Sequence, residues 1–63
     1  MMDMLRNKFT GEIVTLTTSP INHATIVQIK GKSTELHRGS LLTANTFIMG
    51  MAYGQPEIWE EIK

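Results

Sequence analysis

Apolar and polar positions alternate most clearly in the middle of the chain. Glu12-Ile13-Val14-Thr15-Leu16-Thr17-Thr18 is almost wholly β-branched or apolar, as a pleated, half-buried surface requires. Its period of two puts Val14 and Leu16 on one face, the candidate core side, with Ile13, Thr15 and Thr17 on the other. Ser19-Pro20-Ile21-Asn22-His23 then breaks the strand, because proline lacks a ladder donor and Ser-Pro and Asn favour turns. Ala24-Thr25-Ile26-Val27-Gln28-Ile29 predicts a second strand with apolar residues on both faces. Lys30-Gly31-Lys32-Ser33 is a short polar link whose glycine supplies positive φ, and Thr34-Glu35-Leu36-His37-Arg38 alternates again, with Leu36 inward. Two strands joined by such a link predict a β-hairpin.

The flanks carry weaker patterns. Met1, Met2, Met4, Leu5 and Phe9 are apolar, and Asp3 is placed to cap one helical turn, but nothing sustains a longer helix. Residues 1–9 are therefore expected to form a flexible N-terminal segment before a single domain over 10–63. Residues 40–53 fit two elements. A helix would be capped by Ser40, ended by Gly54 and lined by Leu41, Asn45, Ile48 and Ala52. Asn45 interrupts that stripe, and Gly50 weakens a helix interior by ~1 kcal/mol relative to alanine. A strand would use Thr46-Phe47-Ile48-Met49 after a turn at Thr43-Ala44-Asn45, and these residue types favour it, although periodicity settles neither. At the end, Pro56 suits a first helical position, Glu57 a first turn and Lys63 a last one. Ile58 and Ile62 lie four apart with Trp59 beside them, which predicts a short amphipathic C-terminal helix.

The expected fold is mainly β: a small antiparallel sheet or partly open barrel, of the size of SH3 or OB folds, with a short C-terminal helix. The alternative is α+β, a three-stranded sheet packed against two helices. The order Gly11-Glu12-Ile13-Val14, Ala24-Thr25-Ile26-Val27, Gly31, Glu35-Leu36 and Leu41-Leu42 resembles the opening hairpins of small barrel proteins such as the hydrogenase-maturation chaperones. That family has a cysteine directly after the initiator methionine, where this chain has Met2. The resemblance spans about half the chain, rests on strand residues, and implies a fold without carrying a function.

Size sharpens the picture. A chain of 63 residues makes one domain, and a domain this small buries only about 60% of its unfolded surface. With no cysteine there is no disulfide and no thiolate for zinc, so either self-association or tight packing must complete the core. Six basic and six acidic residues cancel, though Arg6, Lys8, Lys30, Lys32 and Arg38 lie in the body and Glu57, Glu60 and Glu61 near the end. Asp3 and Arg6 interrupt any signal-peptide core, and no segment approaches the ~20 apolar residues of a membrane span. A cytoplasmic protein with no membrane contact is expected, and the short chain suits a bacterial or phage reading frame.

Candidate chemistry is sparse. His23, Glu35 and His37 are conceivable metal ligands, but zinc sites want four ligands and favour thiolates, so no metal or other cofactor is expected. Ser19, Ser33 and Ser40 all lie in turn-like sequence, none in a nucleophile motif, and no catalytic residue is assigned. A non-enzymatic role follows, since so small a sheet leaves little room for a water-excluding pocket. Lys30, Lys32, His37 and Arg38 cluster at the hairpin as candidate nucleic-acid contacts, an arrangement that also wants exposed aromatic residues. Met49, Met51, Tyr53 and Trp59 are candidate interface residues, because methionine and aromatic residues are enriched at protein contacts. The leading expectation is an accessory or regulatory protein that associates with itself and with a protein partner. Nucleic-acid binding through the basic hairpin is the alternative, and an oligomeric small-ligand binder the next.

Overall fold

The computed structural model describes residues 2–62, in the order β1 (Met4–Asn7), β2 (Ile13–Thr18), β3 (Thr25–Ile29), β4 (Glu35–Gly39), α1 (Leu41–Gly54) and β5 (Trp59–Glu61). Met1 and Lys63, named above for the apolar start and the helix end, lie outside the described residues. The strands form one antiparallel five-stranded sheet in the order β4-β3-β2-β1-β5. The fold is mainly β, with one helix in its C-terminal part. The sheet is open, with β4 and β5 at opposite edges, and does not close into a barrel.

The alternation in β2 and β3 becomes pairing, with Val14 opposite Ile29, Leu16 opposite Val27 and Thr18 opposite Thr25. Val14 and Val27 are fully buried, and Leu16 and Ile29 pack against the same core. The β3–β4 hairpin forms as expected, with Gly31 at φ 84° and Lys32 N–H donating to the Ile29 carbonyl at 3.1 Å. One detail departs from simple alternation. Val27 pairs with His37 but Gln28 pairs with Glu35, so Leu36 occupies a bulge and is 37% exposed instead of pointing inward. Glu35 and His37, expected on one face, therefore point to opposite faces.

Three expectations are corrected. Met4–Asn7 is no loose segment but strand β1, held between β2 and β5 with Leu5 fully buried. Its register sets Leu5 against both Val14 and Glu61. Residues 41–54 form helix α1 and not a strand. The extended Ser40 caps it, accepting at Oγ from Thr43 N–H at 3.2 Å. The helix has a span to cross: 14 residues at ~1.5 Å cover ~21 Å, close to the four strand spacings of ~4.8 Å between β4 and β5.

The third correction is the C-terminal helix, which is a turn followed by strand β5. Ile58 and Trp59 N–H both donate to the Gln55 carbonyl, at 3.0 and 3.1 Å, and end the turn that Pro56 begins. Trp59–Glu61 then pairs along β1, and flanking bonds from Lys8 N–H to Ile58 O (2.7 Å) and Ile62 N–H to Met4 O (3.0 Å) extend the ladder. A short isolated helix is marginal, whereas an unpaired strand edge supplies partners for the backbone groups that face it.

The core lies between α1 and one face of the sheet. Leu5, Val14, Val27, Ala44 and Ile48 are fully buried, with Met2 and Ala52 nearly so. Thr25, also fully buried, shares a 3.2 Å hydroxyl contact with Thr18. Gly39 lets β4 run straight into α1: a Cβ there would lie 2.7 Å from Thr43 Oγ1 and 3.2 Å from His37 Nε2.

Candidate interaction surface

Helix α1 has no charged residue anywhere in Leu41–Gly54. Ala44, Ile48 and Ala52 recur every four positions and face the sheet. At ~3.6 residues per turn the opposite side carries Leu42, Thr46, Gly50 and Tyr53. Leu42 is 75% exposed and Tyr53 68%, while Leu41 and Phe47 are partly open on the helix as well. A helix with no charge on any side lacks the strongly polar face that a surface helix normally turns to water. Here only one side is covered by the chain itself.

Of the four interface candidates, Met49, Met51 and Trp59 pack against the core and Tyr53 alone projects outward. Leu41, Leu42 and Phe47 were not among them. The signal that marks them is the absence of any charge between Arg38 and Glu57. Phe47 also anchors the helix to β4, its ring stacked on His37 with centroids 5.1 Å apart. His37 Nε2 lies 3.3 Å from Thr43 Oγ1, so this side chain ties β4 to α1 and is half-buried. Asn45 Nδ2 donates to Met49 Sδ at 3.3 Å, yet Asn45 Oδ1 is buried without a partner among the described residues. An orphan of that kind costs ~1–3 kcal/mol.

The basic hairpin is largely neutralised by neighbours. Lys32 Nζ binds Glu12 Oε2 at 2.8 Å, and Arg38 grips both Glu35 oxygens at 2.7 and 2.9 Å. Lys32, by its hydrogen bond first and its charge second, lowers the Glu12 carboxyl below its ordinary pKa. Among the described residues, Lys30 is the hairpin cation without an acidic partner. Of the exposed aromatic residues, Phe9 lies in the β1–β2 turn, at the same end of the strands as the hairpin, and is 78% exposed. It borders an open cleft of about 570 Å³ shared with Arg6, Lys8, Thr10 and Glu60. Arg6 pairs with Glu60, and Lys8 Nζ donates to the Pro56 carbonyl at 2.8 Å, with no acidic partner among the described residues.

That turn offers no backbone cradle for an anion. Asn7 Oδ1 accepts from Phe9 and Thr10 N–H, Asn7 O from Gly11 N–H, and Thr10 Oγ1 from Glu12 N–H. Side chains alone must do any binding there. His23, the third metal candidate, is exposed in the β2–β3 turn at φ 60°. Among the described residues no three His, Asp or Glu side chains converge. The same residues include no helix long and apolar enough to cross a membrane.

These features define a two-layer domain, an open antiparallel sheet covered on one face by a charge-free helix. No protein family, curated protein or solved structure matches the chain.

Proposed function

We propose that this chain is a small non-enzymatic binding domain that works by protein–protein association, with itself among its partners. The observation that carries this reading is α1, whose outward side presents Leu42 and Tyr53 with no charge to hold water. Fully burying such a side chain returns ~1.5–3 kcal/mol, so a few of them suffice for reversible association. A strip ~21 Å long and ~10 Å wide falls below the ~800 Å² per partner of a standard stable interface. The contact is therefore a reversible one. Sedimentation equilibrium from 1 µM to 1 mM tests it: the average mass should rise with concentration, and a strict monomer throughout removes self-association.

A second reading, single-stranded nucleic-acid binding, is favoured by Phe9, an aromatic face open to solvent beside Lys8. Stacking on such a face contributes ~1–3 kcal/mol per base. The reading rests on this cleft more than on Lys30, Lys32, His37 and Arg38, since Lys32 and Arg38 are already paired. Fluorescence anisotropy with a labelled oligothymidylate at low salt separates the two sites. Binding weakened by Phe9→Ala and Lys8→Ala, but not by Lys30→Ala, supports the cleft; no binding at all ends this reading.

A further inference from the structure

The outer stripe of α1 has an order of sizes: Leu42, Thr46, Gly50, Tyr53 run large, small, small, large. A Cβ on Gly50 would meet nothing within 4 Å, so another backbone has room to approach the middle of the helix. When two helices cross at an angle they are closest at the crossing point and diverge toward their ends. Small residues in the middle and large ones at the ends fit that shape.

We propose that two copies of this chain associate through antiparallel crossing of their α1 helices about a two-fold axis near residues 47 and 48. Leu42 of one copy then lies beside Tyr53 of the other, and Thr46 beside Gly50. This geometry rests on the self-association reading. The occupant is a second copy for three reasons. A two-fold contact sets the same surface against itself, so any net charge on it would repel, and α1 carries none. The copy's helix has the same length as the stripe it covers. A charged partner, by contrast, would find no counter-charge on this face.

The direction follows from two further points. Antiparallel helices set the positive end of one macrodipole against the negative end of the other, whereas parallel helices align like ends. No acidic residue in the first turn and no basic residue in the last offsets those ends here. The area is that of a weak, reversible dimer, which forms only as concentration rises.

Absence of cysteine makes the test clean. Leu42→Cys and Tyr53→Cys variants, both at exposed positions, are oxidised separately and as an equimolar mixture at 100 µM. Because the helix ends diverge and a disulfide needs Cα atoms within ~7 Å, a short bis-maleimide linker is used beside oxidation, and the antiparallel pair should give mixed dimers at least fivefold over either homodimer. Excess Leu42→Cys homodimer, or no cross-link from protein that sediments as a dimer, overturns the antiparallel geometry and leaves self-association standing. A wild-type chain that stays monomeric overturns both. As a second variant, Leu42→Lys should weaken dimerisation at least tenfold while the dilute monomer keeps its melting temperature. Unchanged dimerisation would place the contact elsewhere.

Discussion

The two sides of α1 invert the usual distribution of size. The side against the sheet carries Ala44, Ile48 and Ala52, two of them small, while the solvent side carries Leu42 and Tyr53. Small inward residues let the helix lie close over Val14, Val27 and Leu5, and Ile48 is the one large helical side chain that is fully buried there, with Met49 and Met51 packed at the margin. Large outward residues do nothing for that packing. The difference separates what the fold needs from what it leaves available for a partner.

Substitutions that exchange the two sides should break this comparison most strongly. Ala44→Leu forces extra volume into a closed core and should cost ~1–3 kcal/mol in urea denaturation. Thr46→Leu, on the outer side, should stay within ~0.5 kcal/mol, as surface changes do. Equal losses for the pair would mean the helix is not seated as described. Gly50→Ala sharpens the contrast with a smaller effect. Its Cβ meets open space in the monomer, so helix propensity should add up to ~1 kcal/mol of stability. The same methyl sits at the proposed crossing point, and the dimer should weaken while the monomer strengthens.

The smallest effect lies outside α1. Glu12 is held below its ordinary pKa by Lys32. A carboxyl depressed in the folded state stabilises above its unfolded-state pKa, and that gain is lost as pH falls through the folded value. Lys32→Met should therefore return the Glu12 titration toward its ordinary range in an NMR pH series, with little change in melting at neutral pH. An unaltered titration would show that the pair does not persist in solution.

Those same regions explain what the sequence made legible. β2 and β3 alternate in residues whose partners lie close along the chain, so local pattern and tertiary pairing agree; β4 was legible as a strand, but its bulge at Leu36 was not. α1 hid because it is apolar all round: with Leu42, Phe47 and Tyr53 outside and Ile48 inside, no period of 3.6 stands out. β5 hid behind Pro56, Glu57 and the Ile58/Ile62 spacing, which imitate a helix start; pairing with β1, on the far end of the chain, decides its shape. β1 hid because Leu5 is its one fully buried side chain, between exposed Arg6 and half-buried Met4. Of the contact surface, only Tyr53 was legible as an exposed residue, since type alone does not tell an outward methionine or tryptophan from one that completes a small core.

The division of α1 into a structural side and a free side is tested most directly by one paired measurement. Urea unfolding of Ile48→Ala and Leu42→Ala is followed by circular dichroism at a concentration low enough to keep the chain monomeric. Ile48→Ala should lose ~2–5 kcal/mol, most of the stability of a domain this size, and Leu42→Ala no more than ~0.5 kcal/mol. Comparable losses at the two positions, or the larger loss at Leu42, would contradict it.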